Sequence, residues 1–284
     1  NLDVVDIDGA VDMASTLQVD GAITGSSTIN GVGIISNITN FSNGILISQD
    51  GSTGTLNAAS NNTGLGSNVF DDLTTGDANT GVGAASLEKL TTGSNNTAVG
   101  YNSQAVNTTG SQNTSFGRLS LDALTTADAN TAIGNASMTA NTTGASNTAV
   151  GDGSLRANTT GGANTAVGAV SGDAITTGNN NTSIGFDSLS ATTTGDSNTA
   201  LGDSALKANT TADLNTAVGQ SALLVNTTGT LNTAIGVFAL DANTTGDDNV
   251  AIGRSSLTSN TTADNNTAVG GSSLEVNTTG DRNV

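Results

Sequence analysis

The sequence predicts an all-β protein, a parallel β-solenoid of 17-residue coils. A five-residue unit, Asn-Thr-small-apolar-Gly, begins at Asn62 and returns every 17 residues to Asn266, with a further copy opening at Asn283. Thirteen full repeats follow one another without an insertion or deletion, which is typical of a stack whose units pack on their neighbours. Only 2% of the residues are aromatic and 37 are Gly, so we expect a thin core.

The N-terminal segment follows a different rule. Gly9, Gly21 and Gly33 are 12 residues apart, and Asp8-Gly9 and Asp20-Gly21 are turn dipeptides between short runs with β character. We therefore predict two domains, a β shaft with repeats of about 12 residues over 1–53 and the 17-residue solenoid over 54–284.

Within a coil we number positions from the Asn, which gives the pattern N-T-(A/S/G)-(apolar)-G-x-x-(S/A)-L-x-x-(N/L)-T-T-(G/A)-x-x. Positions 2 to 4 predict a strand, with positions 2 and 4 on one face and the small residue at position 3 on the other. The recurring Gly and the Thr-Thr doublet disfavour helices, so we interpret the rest of the coil as a second short strand and two turns.

Other fixed residues predict how the coils stack. Gly at position 5 predicts a positive φ or a close neighbouring backbone, whereas position 15 accepts Ala and does not require a positive φ. Asn at position 1 and Thr at positions 13 and 14 predict ladders of like residues along a rod roughly 60 Å long. The repeat is represented by Asn79, Gly83, Asn96, Gly100, Asn113, Gly117, Asn249, Ile252 and Gly253.

The composition excludes several classes of function. With neither Cys nor His, the chain lacks the commonest catalytic bases and transition-metal ligands, so we expect no enzyme. Six Lys and Arg against 24 Asp and Glu give a net charge of −18, which disfavours nucleic acid as a partner. No segment is apolar enough to insert into a membrane. Because residue 1 is not Met and the last repeat is cut short, we expect a piece of a longer polypeptide.

A single thin solenoid is marginal in stability. Two or three buried apolar side chains per coil contribute about 1.5–3 kcal/mol each, against about 1–2 kcal/mol of backbone entropy per residue. Three chains around a common axis would bury a second face of each coil, with the small residue at position 3 allowing close approach. We therefore predict a homotrimer.

The residues carry a family resemblance. Asn249-Val250-Ala251-Ile252-Gly253 followed by Ser256 resembles the N-x-A-(I/V)-G-x-x-S unit in the head domain of trimeric autotransporter adhesins, a left-handed parallel β-roll of three intertwined chains. The longer repeat is similar to arrays in bacteriophage tail-fibre-like proteins and marine bacterial surface proteins, and VDIDGAVDMASTLQVDGAITGSSTING resembles phage-fibre shafts.

The resemblance implies an extracellular, homotrimeric attachment protein on a virion tail fibre or a bacterial cell surface. Such a protein extends or presents a surface that binds a host receptor or glycan. The alternatives are a purely structural surface filament or sheath component and, third, an ice-binding solenoid. Against ice binding, the adjacent Thr at positions 13 and 14 would point to opposite faces and leave one exposed file.

Several residues are candidates for contacts or modification. Tyr101, Phe186 and Phe238 fall at variable positions 6 or 7, where they would project outward towards a receptor or simply be scattered surface aromatics. Carboxylates at positions 16 and 17 suggest a solvated acidic surface, with a calcium site as the alternative, so we expect no cofactor. The N-x-(S/T) triplets at position 12 match glycosylation acceptors, but the repeat itself dictates them, and we expect turn and ladder chemistry.

Overall fold

The computed structural model describes residues 27–29, 32–38, 41–48 and 55–284, and side chains at 45–47 and 55–284. One 17-stranded sheet runs through these residues, and residues 55–284 contain no helix. Its strands are β1 (Ser27–Ile29), β2 (Val32–Ile38), β3 (Phe41–Ser48), β4 (Ala59–Ser60), β5 (Thr63–Leu65), β6 (Thr80–Val82), β7 (Thr97–Val99), β8 (Thr114–Phe116), β9 (Thr131–Ile133), β10 (Thr148–Val150), β11 (Thr165–Val167), β12 (Thr182–Ile184), β13 (Thr199–Leu201), β14 (Thr216–Val218), β15 (Thr233–Ile235), β16 (Val250–Ile252) and β17 (Thr267–Val269).

The strands β5 to β17 form a parallel β-solenoid, as the sequence predicts. Each strand pairs in register with the equivalent strand of the next coil; for example, Thr148 pairs with Thr165 and Val150 with Val167. Because every pairing joins residues 17 apart, each side chain lies against its counterpart one coil away.

The stack begins at β3. This strand pairs antiparallel with β2 and parallel with β5, where Leu46 faces Gly64. Leu46 is fully buried and Ile45 is half exposed, so the end of β3 is arranged like a coil strand. Residues 1–26, and with them most of the predicted 12-residue repeat, lie outside the described residues.

The second strand predicted for each coil is absent from the described coils. In each coil of 62–282 the strand at positions 2 to 4 is followed by turns over positions 6 to 11. Positions 7 and 9 adopt left-handed backbone conformations, as at Val170 (φ 49°) and Leu155 (φ 47°). Such φ values are incompatible with an extended strand, and they fold the chain tightly around the interior.

The small residue at position 3 points into the core, so the expectation that it lies between chains is wrong. Ala149 and Ala166 are fully buried. Large residues at position 9, joined in four coils by Leu or Ile at position 12, fill the interior opposite them, and position 3 holds only Gly, Ala or Ser. A Cβ added at Gly64 would lie 2.6 Å from Cδ1 of Leu46, which shows how little space remains. The apolar side chains at position 4 therefore point outward.

The apolar interior is divided by one polar coil. One cluster of buried hydrophobic residues ends at Ala98 and the next begins at Leu121. Between them Gln104 is fully buried, with Nε2 donating to the Thr97 carbonyl (3.1 Å) and to Ser115 Oγ (2.9 Å). Because these bonds satisfy the amide, the coil keeps its shape without an apolar residue at position 9.

Side-chain ladders join the coils, as the repeat predicts. Asn96 donates from its backbone N–H (2.9 Å) and from Nδ2 (3.1 Å) to Asn79 Oδ1, and Nδ2 also donates to the Gly110 carbonyl (2.8 Å). At position 13, Thr91 Oγ1 donates to the Thr108 carbonyl (2.8 Å). These bonds satisfy buried polar groups coil after coil.

Gly at position 5 meets both conditions that the sequence suggests. Gly83 has φ 126°, and a Cβ added there would lie 2.5 Å from the carbonyl oxygen of Gly100 in the next coil. Neither the backbone conformation nor the space accepts another residue. Position 15 has no positive φ, and Ala occupies it in three coils, at Ala127, Ala212 and Ala263.

Candidate functional site: the outward strand face

The outward strand face consists of the side chains at positions 2 and 4 of β5 to β17. Since successive side chains of a strand point to opposite faces, burial of position 3 places positions 2 and 4 together on the outside. Position 4 is aliphatic in every coil but one, where it is Phe116 with 54% of its surface exposed. The position-4 residues are Leu65, Val82, Val99, Phe116, Ile133, Val150, Val167, Ile184, Leu201, Val218, Ile235, Ile252 and Val269.

This face carries no charge. Positions 1 to 5 contain only Asn, Thr, Val, Gly, Ala, Ser and the position-4 residues in all thirteen coils, in a chain with a net charge of −18. A continuous row of exposed and half-buried apolar side chains without charges along the same strands is uncommon on a monomeric surface, so this face is the candidate interaction surface. Chemically, the face can bury aliphatic groups against a partner.

The threonine hydroxyls of this face are free within the described chain. Position 2 is Thr in every coil except at Val250, and these Thr side chains are half buried or exposed. None of their hydroxyl groups makes a hydrogen bond to another described residue, whereas position-13 hydroxyls such as Thr91 Oγ1 donate to carbonyls. The free hydroxyls are therefore available to water or a partner.

The three aromatic candidates lie on the surface but far from one another. The exposed fractions are 52% for Tyr101, 58% for Phe186 and 41% for Phe238. Tyr101 lies beside Arg118, whose guanidinium carbon is 6.0 Å from the ring centroid. Five coils separate Tyr101 from Phe186, or about 24 Å along the rod. The structure does not bring them together as one site.

Two exposed groups were missed by sequence reasoning. In the sequence Phe116 is only one more apolar residue at position 4. Its exposure becomes evident once the structure shows that position-4 side chains point outward. Leu214 and Leu231 at position 17 are 54% and 48% exposed. Both adopt left-handed conformations, with φ of 61° and 60°. Position 17 varies widely in the sequence, so composition alone gave no signal for it.

The carboxylates at position 16 bind backbone amides of the preceding coil. Asp264 Oδ1 accepts from the Asp247 N–H (2.8 Å), and Asp281 Oδ1 from the Asp264 N–H (2.9 Å). These bonds give the acidic file a structural role. In 55–284 and the other described segments, no group of three or more His, Cys, Asp or Glu is placed to hold a metal ion.

Two carboxyl groups outside this file are perturbed by burial. Burial raises the pKa of Asp122, against the opposing effects of nearby backbone N–H groups and Arg118. Asp122 Oδ1 is buried without a hydrogen-bond partner. Burial likewise raises the pKa of Asp173, which pairs with Arg156 Nη2 at 2.9 Å. Both groups therefore cost stability when charged.

The asparagines of position 12 form a second interior ladder. Asn158 Nδ2 donates to Asn141 Oδ1 (3.2 Å) and to the Gly161 carbonyl (3.0 Å), and both side chains are fully buried. A glycan could not be attached to them in the folded coil. In the described part of the chain, the N-x-(S/T) triplets at this position thus serve the ladder, except that the last, at Asn277, is partly exposed.

The fold defines this chain as a parallel β-solenoid repeat protein. No protein-family profile matches it, and no curated protein matches it. In the segments that the structure describes, no helix is both long and apolar enough to cross a bilayer.

Proposed function

We propose that the chain is a segment of an extracellular, homotrimeric attachment fibre, on a phage tail or a bacterial surface, that extends or presents a surface for a host receptor or glycan. The uncharged apolar strand face carries this proposal. It runs the length of the described stack in a chain that is otherwise strongly acidic.

A second copy of the chain is the partner that this face fits best. Acidic chains repel one another, so self-association requires a face from which charge is absent, and positions 2 and 4 provide one. Their residues repeat at the same spacing in every copy, so identical chains lying side by side match along their length. The resemblance to adhesin heads and tail fibres supplies the trimeric state, the left-handed coil and the attachment role.

The proposed attachment mechanism combines a rod that extends from the surface with multivalent binding. Three identical chains present every surface residue three times, which strengthens weak receptor contacts without a new interaction. Tyr101, Phe186 and Phe238 remain candidates for such contacts because their exposed rings lie away from the position-4 file. Neither a cofactor nor a catalytic step is part of this proposal.

Paired substitutions test the assembly. Val150→Asp with Ile184→Asp places carboxylates on the strand face in two coils, where three chains would bring them together. Thr160→Asp with Thr194→Asp makes the same charge change at exposed position 14 of the same coils. We expect the first pair to dissociate the assembly and the second to leave its mass unchanged. Equal effects of both pairs would contradict the assignment of the face.

Immunogold electron microscopy tests the attachment role. Antibodies raised against the purified chain are applied to intact virions and cells of the source organism. Gold at the tips or along single fibres supports attachment, whereas gold over a continuous surface lattice supports the sheath. Absence of gold from every external surface would overturn both the attachment role and the sheath.

Ice binding is the second candidate, and one observation favours it. The strand face is a regular array of free Thr hydroxyls beside aliphatic side chains, whereas at positions 13 and 14 only the second Thr is exposed. An array that binds ice must face water, so the same face cannot also lie between chains. Thermal hysteresis by a folded single chain would support this candidate, and a trimer without hysteresis would reject it.

A further inference from the structure

Identical coils create a problem of register for chains that pair through the strand face. If one chain slides past another by a whole coil, every position-4 side chain meets another aliphatic side chain of similar size. Repetitive β interfaces specify register poorly unless some residue breaks the repeat. This inference rests on the homotrimer proposed above.

Phe116 breaks the repeat on this face. It is the one aromatic residue among the thirteen at position 4, with Val99 and Ile133 above and below it in the file. Its ring is 54% exposed, against 42% for Ile133, so most of its extra bulk projects towards a partner and not into its own coil.

We infer that Phe116 sets the register of the three chains. In register, three rings meet at one level, where they pack on one another and concentrate the extra width in a single layer. After a shift, each ring faces aliphatic side chains at a separate level. Each level then holds one side chain too large for its neighbours, which opens gaps beside it and loses dispersion contacts.

Inter-chain disulfides report the register directly, since the native chain contains no Cys. Chains carrying Val150→Cys and chains carrying Ile184→Cys are co-expressed at full length and oxidised. These positions are two coils apart, roughly 10 Å along the axis, whereas a disulfide spans Cα atoms no more than about 7 Å apart. Disulfides within one type form in register, and mixed disulfides form only after the chains slide by one or two coils, which brings the mixed pair within about 5 Å along the axis.

The test compares Phe116→Val with Phe186→Val. Both changes remove an exposed ring, but Phe186 lies at position 6, off the strand face. We expect the fraction of mixed disulfides to rise about tenfold in Phe116→Val, because aromatic packing is lost, and to stay at the native level in Phe186→Val. Circular dichroism confirms that each variant is folded.

The outcomes separate the two proposals. If sedimentation gives three chains and Phe116→Val leaves the mixed disulfides at the native level, Phe116 does not set the register although the trimer stands. A rise of equal size in both variants would also overturn the inference. If sedimentation gives a single chain, the homotrimer fails and the register inference falls with it.

Discussion

Ile175 occupies the interior space that Gly172 leaves empty in the same coil. A Cβ on Gly172 would lie 3.1 Å from Cδ1 of Ile175 and 3.3 Å from Cδ2 of Leu155. Gly172 has φ 57°, close to the 54° of Leu87 at the same position of its coil. The coil therefore departs from the repeat at position 9, and Ile175 at position 12, where most coils carry Asn, fills the space that results.

The compensation predicts non-additive effects on stability. Gly172→Leu alone overpacks the interior and should cost about 1–3 kcal/mol of unfolding free energy. Ile175→Asn alone leaves a void and should cost about 2–4 kcal/mol. The double variant restores the common pattern and supplies a donor for Asn158 Oδ1, which is buried without a partner. Denaturant unfolding at fixed protein concentration should show that the double variant loses far less unfolding free energy than the two single variants together. Additive losses would contradict the compensation.

The two glycine files should differ in their tolerance of alanine. Gly151→Ala places a side chain at φ 138° and against the carbonyl of Gly168, so we expect a loss of more than about 3 kcal/mol. Gly161→Ala is the matched control in the same coil, because its Cβ would crowd the carbonyl of Gly178 just as closely but its φ is not positive. Ala already occupies the equivalent position at Ala212, also beside an asparagine of position 12. Because the backbone conformation accepts Ala once the coil shifts locally, Gly161→Ala should cost about 1–2 kcal/mol, less than Gly151→Ala. Similar losses in thermal or denaturant unfolding would contradict the role assigned to position 5.

The left-handed conformation of Val170 predicts a stabilising substitution. A β-branched residue is disfavoured at φ 49°, whereas Asn tolerates it. Val170→Asn should therefore raise the free energy of unfolding by about 0.5–1 kcal/mol. Ala169→Asn is the control, since that residue lacks a positive φ and should gain nothing. A loss of stability in Val170→Asn would show that its apolar contacts outweigh the strain.

Burial of Asp122 predicts an unusual dependence of stability on pH. Because burial raises the pKa of this carboxyl in the folded chain, the folded state binds the proton more tightly than the unfolded state. Its contribution to stability therefore increases as the pH falls through the folded-state pKa, and levels off below the unfolded value of about 3.9. Asp122→Asn should stabilise the chain at pH 7 and lose this advantage at pH 3.

Asp203→Asn controls for the change in net charge, since Asp203 is exposed. Chemical denaturation of both variants at the two pH values provides the measurement. If Asp203→Asn gives the same pH-dependent gain, general charge repulsion and not burial of Asp122 accounts for it.

The 17-residue period was sufficient to predict the coil count, the parallel register and the Asn79–Asn96 type of ladder, because each follows from like residues stacking on like. The period did not predict which face of the strand points into the core. Alternation places positions 2 and 4 on one face, but only the turns decide which face is inside. Those turns depend on residues with a left-handed backbone conformation, such as Leu155 and Val170. Neither Leu nor Val is a residue type from which a positive φ would be predicted. The outward strand face, and with it the role we propose for Phe116, therefore required the structure.

The central claim is that identical chains associate through the outward strand face. Sedimentation equilibrium of the purified chain, with and without a calcium chelator, tests it most directly. We predict a mass about three times the chain mass of 27.6 kDa, unchanged by the chelator. A folded species with the mass of one chain would contradict the claim and leave the strand face open to water.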